Sequence, residues 1–234
     1  MEIDCQNIKV IGFDADDTLW VNETYFREAE NQFAELLSNY ETFNKIDQEL
    51  FKKEIDNLKW YGFGVKAFTL SMVESALELS NYQISAKTIE AILNIGKDML
   101  DKPVELLDGV EEVLKTLSKQ YKLILATKGD LLDQERKLEK SGLTKYFHHI
   151  EVMSDKKEAN YSKLLNHLDI KPSEFLMIGN SLKSDVLPLI NLKAQAIHVP
   201  FHITWAHEEA TEEEKNGSHY RTISSLTKLL TILK

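Results

Sequence analysis

Short apolar runs alternate with amphipathic stretches along most of the chain. Residues 8–13 read IKVIGF, an apolar run rich in β-branched side chains, which predicts a strand buried on both faces. Four later runs predict further strands, at residues 122–126, 149–153, 175–178 and 196–199. Helical periodicity predicts helices between and after them, at residues 109–119, 130–141, 160–168, 185–191 and 224–233. Strands separated by helices of about 10–15 residues indicate βαβ units, and hence a parallel sheet with helices on both faces.

The region between the first and second predicted strands has a different pattern. It shows helical periodicity with almost no β-like segment, and the predicted helices cover residues 24–40, 46–58, 65–79 and 85–99. Two glycines within residues 61–64 predict a turn, and Pro103 closes the block. We therefore expect an α/β fold with a Rossmann-like parallel-sheet core, formed by residues 1–20 and 103–234, and an all-helical domain inserted at residues 21–102.

Composition excludes several classes of protein. The chain has 234 residues, of which 43% are hydrophobic and 28% charged. These values are near the average for globular proteins, which excludes a disordered or collagen-like chain. The single cysteine, Cys5, cannot form an intramolecular disulfide, and the sequence has no C-x-x-C pair. A reducing compartment is therefore the simplest fit.

Charge and hydropathy narrow the range of partners. The chain carries 38 Asp and Glu against 28 Lys and Arg, and this net charge of −10 argues against nucleic-acid binding while leaving small anionic substrates possible. The segment Met1-Glu2-Ile3-Asp4 is acidic where a signal peptide is basic, and no apolar run approaches the ~20 residues of a membrane span. We therefore expect a cytoplasmic protein with no membrane partner, either a monomer or a homodimer.

Polar residues follow four of the predicted strands. Ligands of open parallel sheets bind beyond the carboxyl ends of the strands, so these are the positions at which we expect chemistry. They are residues 14–18 (DADDT), 127–130 (TKGD) and 154–157 (SDKK), and residues 179–181 (GNS) with Asp185. Together they supply a nucleophile, a hydroxyl group, an ammonium group and oxygen atoms that can bind a metal.

Asp14 and Asp16 are the first candidates. They are two residues apart at an extended strand end, so their carboxylates leave on the same face and repel each other unless a cation is present. Mg²⁺ suits such a pair, because it takes one or two carboxylates and also accepts phosphate oxygens. An isolated Asp-x-Asp-Asp run is more often a solvated turn, but its position after a buried strand favours a metal site.

The other candidates are ambiguous when taken one at a time. Thr127 could be a helix N-cap, Lys156 a surface lysine, and Asp185 a residue of a first helical turn. Their occurrence in order, at successive strand ends, is a stronger signal than any one of them.

At this point the chain resembles the haloacid dehalogenase-like (HAD) hydrolase superfamily. The segments FDADDTLW, LILATKG, SDKKEANY and MIGNSLKSD match its four motifs, in order, from Asp14 to Asp185. The helical insertion after the first motif is where subfamily I of this superfamily carries its small mobile C1-type cap. The resemblance therefore implies a Rossmann-like core with a helical cap.

The resemblance also implies a role for particular residues. Asp14 attacks phosphorus and becomes an aspartyl-phosphate, and Asp16 protonates the leaving alkoxide and then activates water. Thr127 and Lys156 bind the phosphoryl oxygens, with Lys157 as the adjacent alternative to Lys156.

The resemblance further implies Mg²⁺, held by the Asp14 carboxylate, the Asp16 main-chain carbonyl and Asp185. The sequence departs from the family at the fourth motif, which usually begins Gly-Asp and here reads Gly179-Asn180. Asn180 can still offer a neutral oxygen ligand or accept a hydrogen bond from a metal-bound water.

Asp16 bears on the type of reaction. Dehalogenases of the superfamily lack an acid at this position, because a halide leaves without a proton. The resemblance thus implies a phosphatase that hydrolyses a small phosphorylated metabolite. The alternatives are a phosphotransferase or phosphomutase of the same fold and a non-catalytic binding module, for which Asn180 is the only support.

Four further features lie outside the matched residues. Lys128 follows the second strand and is a candidate substrate contact. Residues 59–66 (KWYGFGVK) could either line a substrate pocket or form a packed helix corner. Residues 208–214 contain five glutamates and predict a solvated face or a helix start. Three histidines near the last predicted strand are expected to be structural rather than zinc ligands: His198, His202 and His207.

Overall fold

The structure, a computed structural model, describes residues 3–217 and 220–233 of the chain. The chain divides into two units. The first contains Met1–Glu23, Val104–Lys128 and Glu135–Lys234, and the second contains Thr24–Pro103 and Gly129–Gln134. Met1 and Glu2, which belong to the acidic N-terminal segment noted above, lie outside the described residues.

A six-stranded parallel sheet forms the centre of the first unit. Its strands are β1 (Val10–Phe13), β2 (Lys122–Lys128), β3 (His149–Met153), β4 (Phe175–Gly179), β5 (Gln195–His198) and β6 (Arg221–Thr222). Their order across the sheet is β3-β2-β1-β4-β5-β6, and every pairing is parallel. The prediction of a Rossmann-like parallel sheet is confirmed, and β6 is a short additional strand that the hydrophobic pattern did not indicate.

The helices have the following bounds: α1 (Glu23–Leu37), α2 (Phe43–Tyr61), α3 (Val65–Leu79), α4 (Ala86–Asp101), α5 (Val110–Leu117), α6 (Leu131–Ser141), α7 (Glu158–His167), α8 (Leu187–Asn191), α9 (Glu212–Gly217) and α10 (Leu229–Ile232). The predicted helix at residues 224–233 is a 3₁₀ turn at Leu226–Lys228 followed by α10. The predicted helix at residues 185–191 is preceded by a π-helical turn, Leu182–Val186, which carries Asp185.

Both faces of the sheet are covered, as the continuous apolar runs predict. Side chains alternate between faces along a strand, so neighbours in β1 belong to different clusters. Ile11 and Phe13 pack in one hydrophobic cluster with Val113 of α5, whereas Val10 packs in another with Tyr161 of α7. Because β1 is buried on both faces, Asp14 leaves the sheet from a fully buried strand.

The second unit is helical and has its own hydrophobic core. Residues from α1 to α4 form it, and the fully or almost fully buried members include Phe33, Leu37, Ile46, Leu50, Met72 and Ile92. Helix α2 extends beyond its predicted bounds and ends at Gly62, whose φ of 70° suits glycine and whose N–H donates to the Leu58 carbonyl. Gly64, with φ of 105°, then leads into α3, so the predicted turn between the two helices is confirmed.

Within the residues that the structure describes, none of the helices combines the length and the apolar character needed to cross a membrane.

Gly12 gives a test of how tightly the central strand is packed. A Cβ atom at this position would lie 2.6 Å from Cζ of Phe175 and 3.0 Å from Sδ of Met177, both on the neighbouring strand β4. We therefore expect Gly12→Ala to lower the free energy of unfolding by about 1–3 kcal/mol through overpacking. Phe175→Leu should recover part of this loss in the double variant. Urea unfolding of the two single variants and the double variant measures both effects.

The matched control is Gly142→Ala, because Gly142 has φ of 70° and no atom within 4 Å of an added Cβ. That substitution tests backbone strain alone, at about 1–2 kcal/mol. If the effects of Gly12→Ala and Phe175→Leu simply add, steric conflict between the two positions is the wrong explanation.

Candidate active site

Three of the predicted site residues meet in one buried cluster at the carboxyl ends of the strands. Asp14 follows β1, Lys156 follows β3, and Asp185 lies in the π-helical turn after β4. The Lys156 Nζ atom lies 2.5 Å from Asp14 Oδ1 and 2.6 Å from Asp185 Oδ1. The Lys156 and Asp185 side chains are each 1% exposed, so both carboxylates rely on this ammonium group rather than on bulk water.

Local backbone geometry explains how Asp185 reaches the cluster. The Ser181 N–H donates to Asp185 Oδ2 at 3.0 Å, and the Asp185 N–H donates to the Ser181 carbonyl at 2.9 Å. A Cβ atom at position 179 would lie 2.2 Å from Asp185 Oδ2. Only glycine at the end of β4 leaves room for this carboxylate to fold back against the strand.

The cluster holds more negative than positive charge. Burial and the Asp185 carboxylate raise the pKa of Asp14 above its usual value, although the Lys156 ammonium acts in the opposite direction. Burial by itself lowers the pKa of Lys156, but Asp14 and Asp185 outweigh it and hold that pKa above its usual value. Lys156 therefore lies between two carboxyl groups, and its single ammonium group can compensate the charge of only one carboxylate.

Thr18 connects Asp14 to Asn180. The Thr18 hydroxyl lies 3.0 Å from Asp14 Oδ2 and 3.2 Å from Asn180 Oδ1, and it accepts a hydrogen bond from the Asn180 N–H at 3.1 Å. Asp14 is thus contacted on both oxygens, by Lys156 on one and by Thr18 on the other. Thr18 is the last polar residue of the first motif, and its position there was the only sequence signal for this contact.

Asp16 faces a different pair of donors. Its Oδ1 atom accepts a hydrogen bond from the Trp20 indole Nε1 at 2.7 Å and lies 2.6 Å from the Lys137 Nζ atom. Trp20 belongs to the first motif, but Lys137 lies in the middle of α6, and nothing in the sequence connected it to Asp16.

A tight turn separates Asp16 from α1. Asp17 has a φ of 60°, in the left-handed region, and its N–H donates to the Trp20 carbonyl at 2.7 Å. The Asp17 carboxylate accepts hydrogen bonds from the main-chain N–H groups of Asn22 and Glu23, the residues at the start of α1. Burial raises the pKa of Asp17 to about 8. Asp17 therefore shapes the loop and satisfies the first N–H groups of the helix.

Lys128 and Glu208 form a second, partly buried ion pair beside the cluster. The Lys128 Nζ atom lies 2.5 Å from Glu208 Oε1 and 2.8 Å from the Ser184 hydroxyl, and Glu208 Oε2 lies 2.6 Å from the Ser181 hydroxyl. Burial tends to raise the pKa of Glu208, but Lys128 outweighs it and lowers that pKa to about 2. For Glu208 the prediction of a solvated face is wrong, because this ion pair draws it partly into the protein. Glu212, Glu213 and Glu214 are exposed and form the first turn of α9, as predicted for a solvated face or a helix start. Lys128, predicted to contact substrate, has Glu208 and Ser184 as partners here.

Thr127 and Lys157 complete the predicted set. Thr127 is 1% exposed at the end of β2, and its hydroxyl donates to the Lys128 carbonyl at 3.2 Å. The Lys157 side chain is 74% exposed and lies 2.7 Å from Asp155 Oδ2. Of the two adjacent lysines, the structure brings Lys156, and not Lys157, to Asp14.

The donor set fits Mg²⁺ better than a transition metal. Among residues 3–217 and 220–233, no group of three or more His, Cys, Asp or Glu side chains could hold a metal ion. Two carboxylates with excess negative charge, Asp14 and Asp185, are instead the kind of partial site that Mg²⁺ uses, since this ion keeps several waters and accepts oxygen atoms from a substrate. Asn180 places its amide oxygen against Thr18, and its contact with a metal stays a prediction.

Comparisons with known proteins find relatives and solved structures that are similar to this chain. A haloacid dehalogenase-like family hydrolase from Xanthomonas campestris has a solved structure with a TM-score of 0.85 and 36% identity, over 99% of this chain and 94% of that one. The N-acylneuraminate-9-phosphatases of mouse and human are 28% and 24% identical over 96 and 128 residues. These matches cover 39% and 53% of this chain, and they span only 39% and 52% of the two relatives.

More distant structures share the fold alone. The HAD-hydrolase YfnB from Bacillus subtilis, solved bound to magnesium, has a TM-score of 0.64 at 18% identity and covers 98% of this chain and 100% of its own. Dehalogenases of the same fold are 11–18% identical. The family model for haloacid dehalogenase-like hydrolases matches residues 8–192, which is most of the chain and includes every residue of the buried cluster. The chain therefore belongs to the haloacid dehalogenase-like hydrolase family.

Proposed function

We propose that this hydrolase is a Mg²⁺-dependent phosphatase that cleaves small phosphate monoesters through an aspartyl-phosphate. The observation that carries the proposal is the buried contact of Lys156 with Asp14 and Asp185, next to an acid at Asp16. This arrangement offers a fixed nucleophile, a positive charge for phosphoryl oxygens and a proton donor for a leaving alkoxide.

Asp14 is the proposed nucleophile. Lys156 contacts one of its oxygens and Thr18 the other, so the carboxylate is held in one orientation. Attack by Asp14 on phosphorus forms the aspartyl-phosphate as the bond to the leaving oxygen breaks. Asp16 supplies the proton to that oxygen and, as a carboxylate, then takes a proton from the water that hydrolyses the aspartyl-phosphate. Thr127 is the proposed hydroxyl contact of the phosphoryl group.

Asp14 and Asp185 are the residues that we expect to hold Mg²⁺, together with the Asp16 main-chain carbonyl and Asn180. When bound, this ion neutralises charge on the phosphoryl oxygens.

Two alternative reactions differ from the proposed one, the first in its leaving group and the second in the acceptor of the phosphoryl group. A dehalogenase needs no proton donor for a halide, whereas Asp16 is present here with two donors on its carboxylate. A phosphotransferase or phosphomutase would pass the phosphoryl group to a second substrate instead of water.

The names of the mouse and human relatives make N-acylneuraminate 9-phosphate a first compound to test, alongside other phosphorylated metabolites. The single cysteine and the charge support a cytoplasmic location.

Release of inorganic phosphate from a panel of phosphorylated metabolites tests the proposed reaction. We expect release by the wild type with Mg²⁺ and not after its removal by a chelator, and a loss of at least about 10³-fold in Asp14→Asn. Asp47→Asn, on an exposed part of α2, is the matched control and should keep full activity. Activity retained in Asp14→Asn would exclude the aspartyl-phosphate. Transfer of labelled phosphate to a second metabolite, without free phosphate, would instead favour the transferase.

Asp16→Asn tests the role of the acid. The kcat/KM value reports the first chemical step, in which an alkyl ester needs a proton for its leaving oxygen and a p-nitrophenyl ester does not. We expect Asp16→Asn to lower kcat/KM for the alkyl ester by about 10²–10⁴-fold and for p-nitrophenyl phosphate by much less. Equal losses for the two esters would show that Asp16 is not a proton donor in this step.

Lys156→Met and Lys157→Met form a matched pair of neighbouring substitutions. Removing Lys156 leaves two buried carboxylates without their cation, so we expect a loss of about 3–5 kcal/mol in the free energy of unfolding, together with loss of activity. Lys157→Met should change stability by less than about 0.5 kcal/mol and leave activity intact. The measurements are urea unfolding and phosphate release.

A second substitution separates folding from chemistry. Adding Asp185→Asn to Lys156→Met removes one of the unpaired carboxylates, so the double variant should recover part of the lost stability while remaining inactive. A double variant that regains stability and activity together would exclude a chemical role for Lys156.

A further inference from the structure

Asp16 is held by residues outside the cluster around Asp14. Its Oδ1 atom receives both the Trp20 indole N–H and the Lys137 ammonium, at 2.7 and 2.6 Å. The Lys137 Nζ atom also lies 3.2 Å from the side-chain oxygen of Asn22. The Lys137 and Asp16 side chains are only 18% and 23% exposed, so water screens this ion pair less than it would a surface pair.

Both donors are anchored in the first unit. Trp20 is fully buried, and its backbone bridges to Asp16 on one side and to Leu106 on the other. Lys137 lies on α6 next to Leu138, which is 2% exposed and belongs to the same hydrophobic cluster as β1. Trp20 cannot move far without disturbing buried packing, and Leu138 fixes the part of α6 that carries Lys137, so together the two donors restrict the orientation of the Asp16 carboxyl group.

We propose that Lys137 is a positioning residue for Asp16 in proton transfer to the leaving group. The inference rests on the proposed phosphatase function and extends it to a residue in the middle of α6, outside the four family motifs. Lys137 acts through the Asp16 carboxyl group and is not assigned any contact with the substrate.

The chemical step shows what the ammonium contributes. As the Asp14 oxygen forms its bond to phosphorus, the bond from phosphorus to the ester oxygen breaks, and its electron pair goes to that oxygen. The O–H bond of the Asp16 carboxylic acid breaks at the same time, its proton goes to the ester oxygen, and Asp16 becomes a carboxylate. This new negative charge forms beside a cation that is already in place, so no group has to reorganise to stabilise it.

The test compares two esters that differ in their need for a proton. We expect Lys137→Met to lower kcat/KM for an alkyl phosphate by about 10–100-fold, and for p-nitrophenyl phosphate by less than about threefold. Lys137→Arg retains a cation with N–H donors and should return the alkyl-ester value to within about threefold of the wild type. Lys140→Met, at an exposed position of the same helix, is the control and should change neither ester.

The outcomes separate this inference from the proposed function. If Lys137→Met lowered kcat/KM equally for both esters, or for neither, the positioning role would be wrong and the proposed phosphatase function would be unaffected. A wild type that hydrolyses neither ester would contradict the phosphatase, and this inference would fall with it. Retained turnover of p-nitrophenyl phosphate shows that a variant is folded. If Lys137→Met does not fold, Lys137→Gln, which is uncharged but keeps an NH₂ donor group, replaces it with the same expected difference between esters.

Discussion

The buried contact of Lys156 with Asp14 and Asp185 is the interaction on which the rest of the site depends. These three residues follow three different strands, and β3, which precedes Lys156, is separated from β1 by β2. The loop after β3 and the long lysine side chain therefore together span the distance past β2 to Asp14. Each member is buried, so the loss of Lys156 leaves two carboxylates without their cation, whereas the loss of one carboxylate leaves Lys156 paired with the other. The contact fixes the strand ends relative to one another and provides the proposed nucleophile and phosphate contact at once.

Close packing behind the strand ends supports this contact. Gly12 leaves space for the Phe175 ring between neighbouring strands, and Gly179 leaves space for the Asp185 carboxylate. In both places a missing side chain lets a larger neighbour occupy the position that the fold requires. The hydrophobic core and the buried charges therefore share the same structural elements, and a change in the packing of β1 or β4 alters the geometry around Asp14.

The sequence was most informative where a periodic pattern and a local motif agreed. The five longer strands and the helical insertion region followed from apolar runs and helical periodicity, which also placed the candidate residues at strand ends. The choice of Asp14, Lys156 and Asp185 among those candidates followed from the resemblance to the family. The short strand β6 and the π-helical turn at Leu182–Val186 did not, because two residues and a single turn carry too little periodicity. Lys137 and Glu208 were missed for another reason, since each is placed by tertiary contacts with residues far away in the sequence.

The ion pairs of the lysines near Asp14 explain why a cation is central to the proposed chemistry. Lys128 is matched by Glu208, and Lys156 by two carboxylates. Neither of these two lysines therefore brings a net positive charge to a phosphoryl group that itself carries negative charge. Asn180, in place of the usual acid, removes one negative charge from this region without adding a positive one. Positive charge from outside the chain would therefore favour the binding of a phosphate ester beside Asp14 and Asp185, and this is the role that we propose for Mg²⁺, which prefers carboxylate oxygens as ligands.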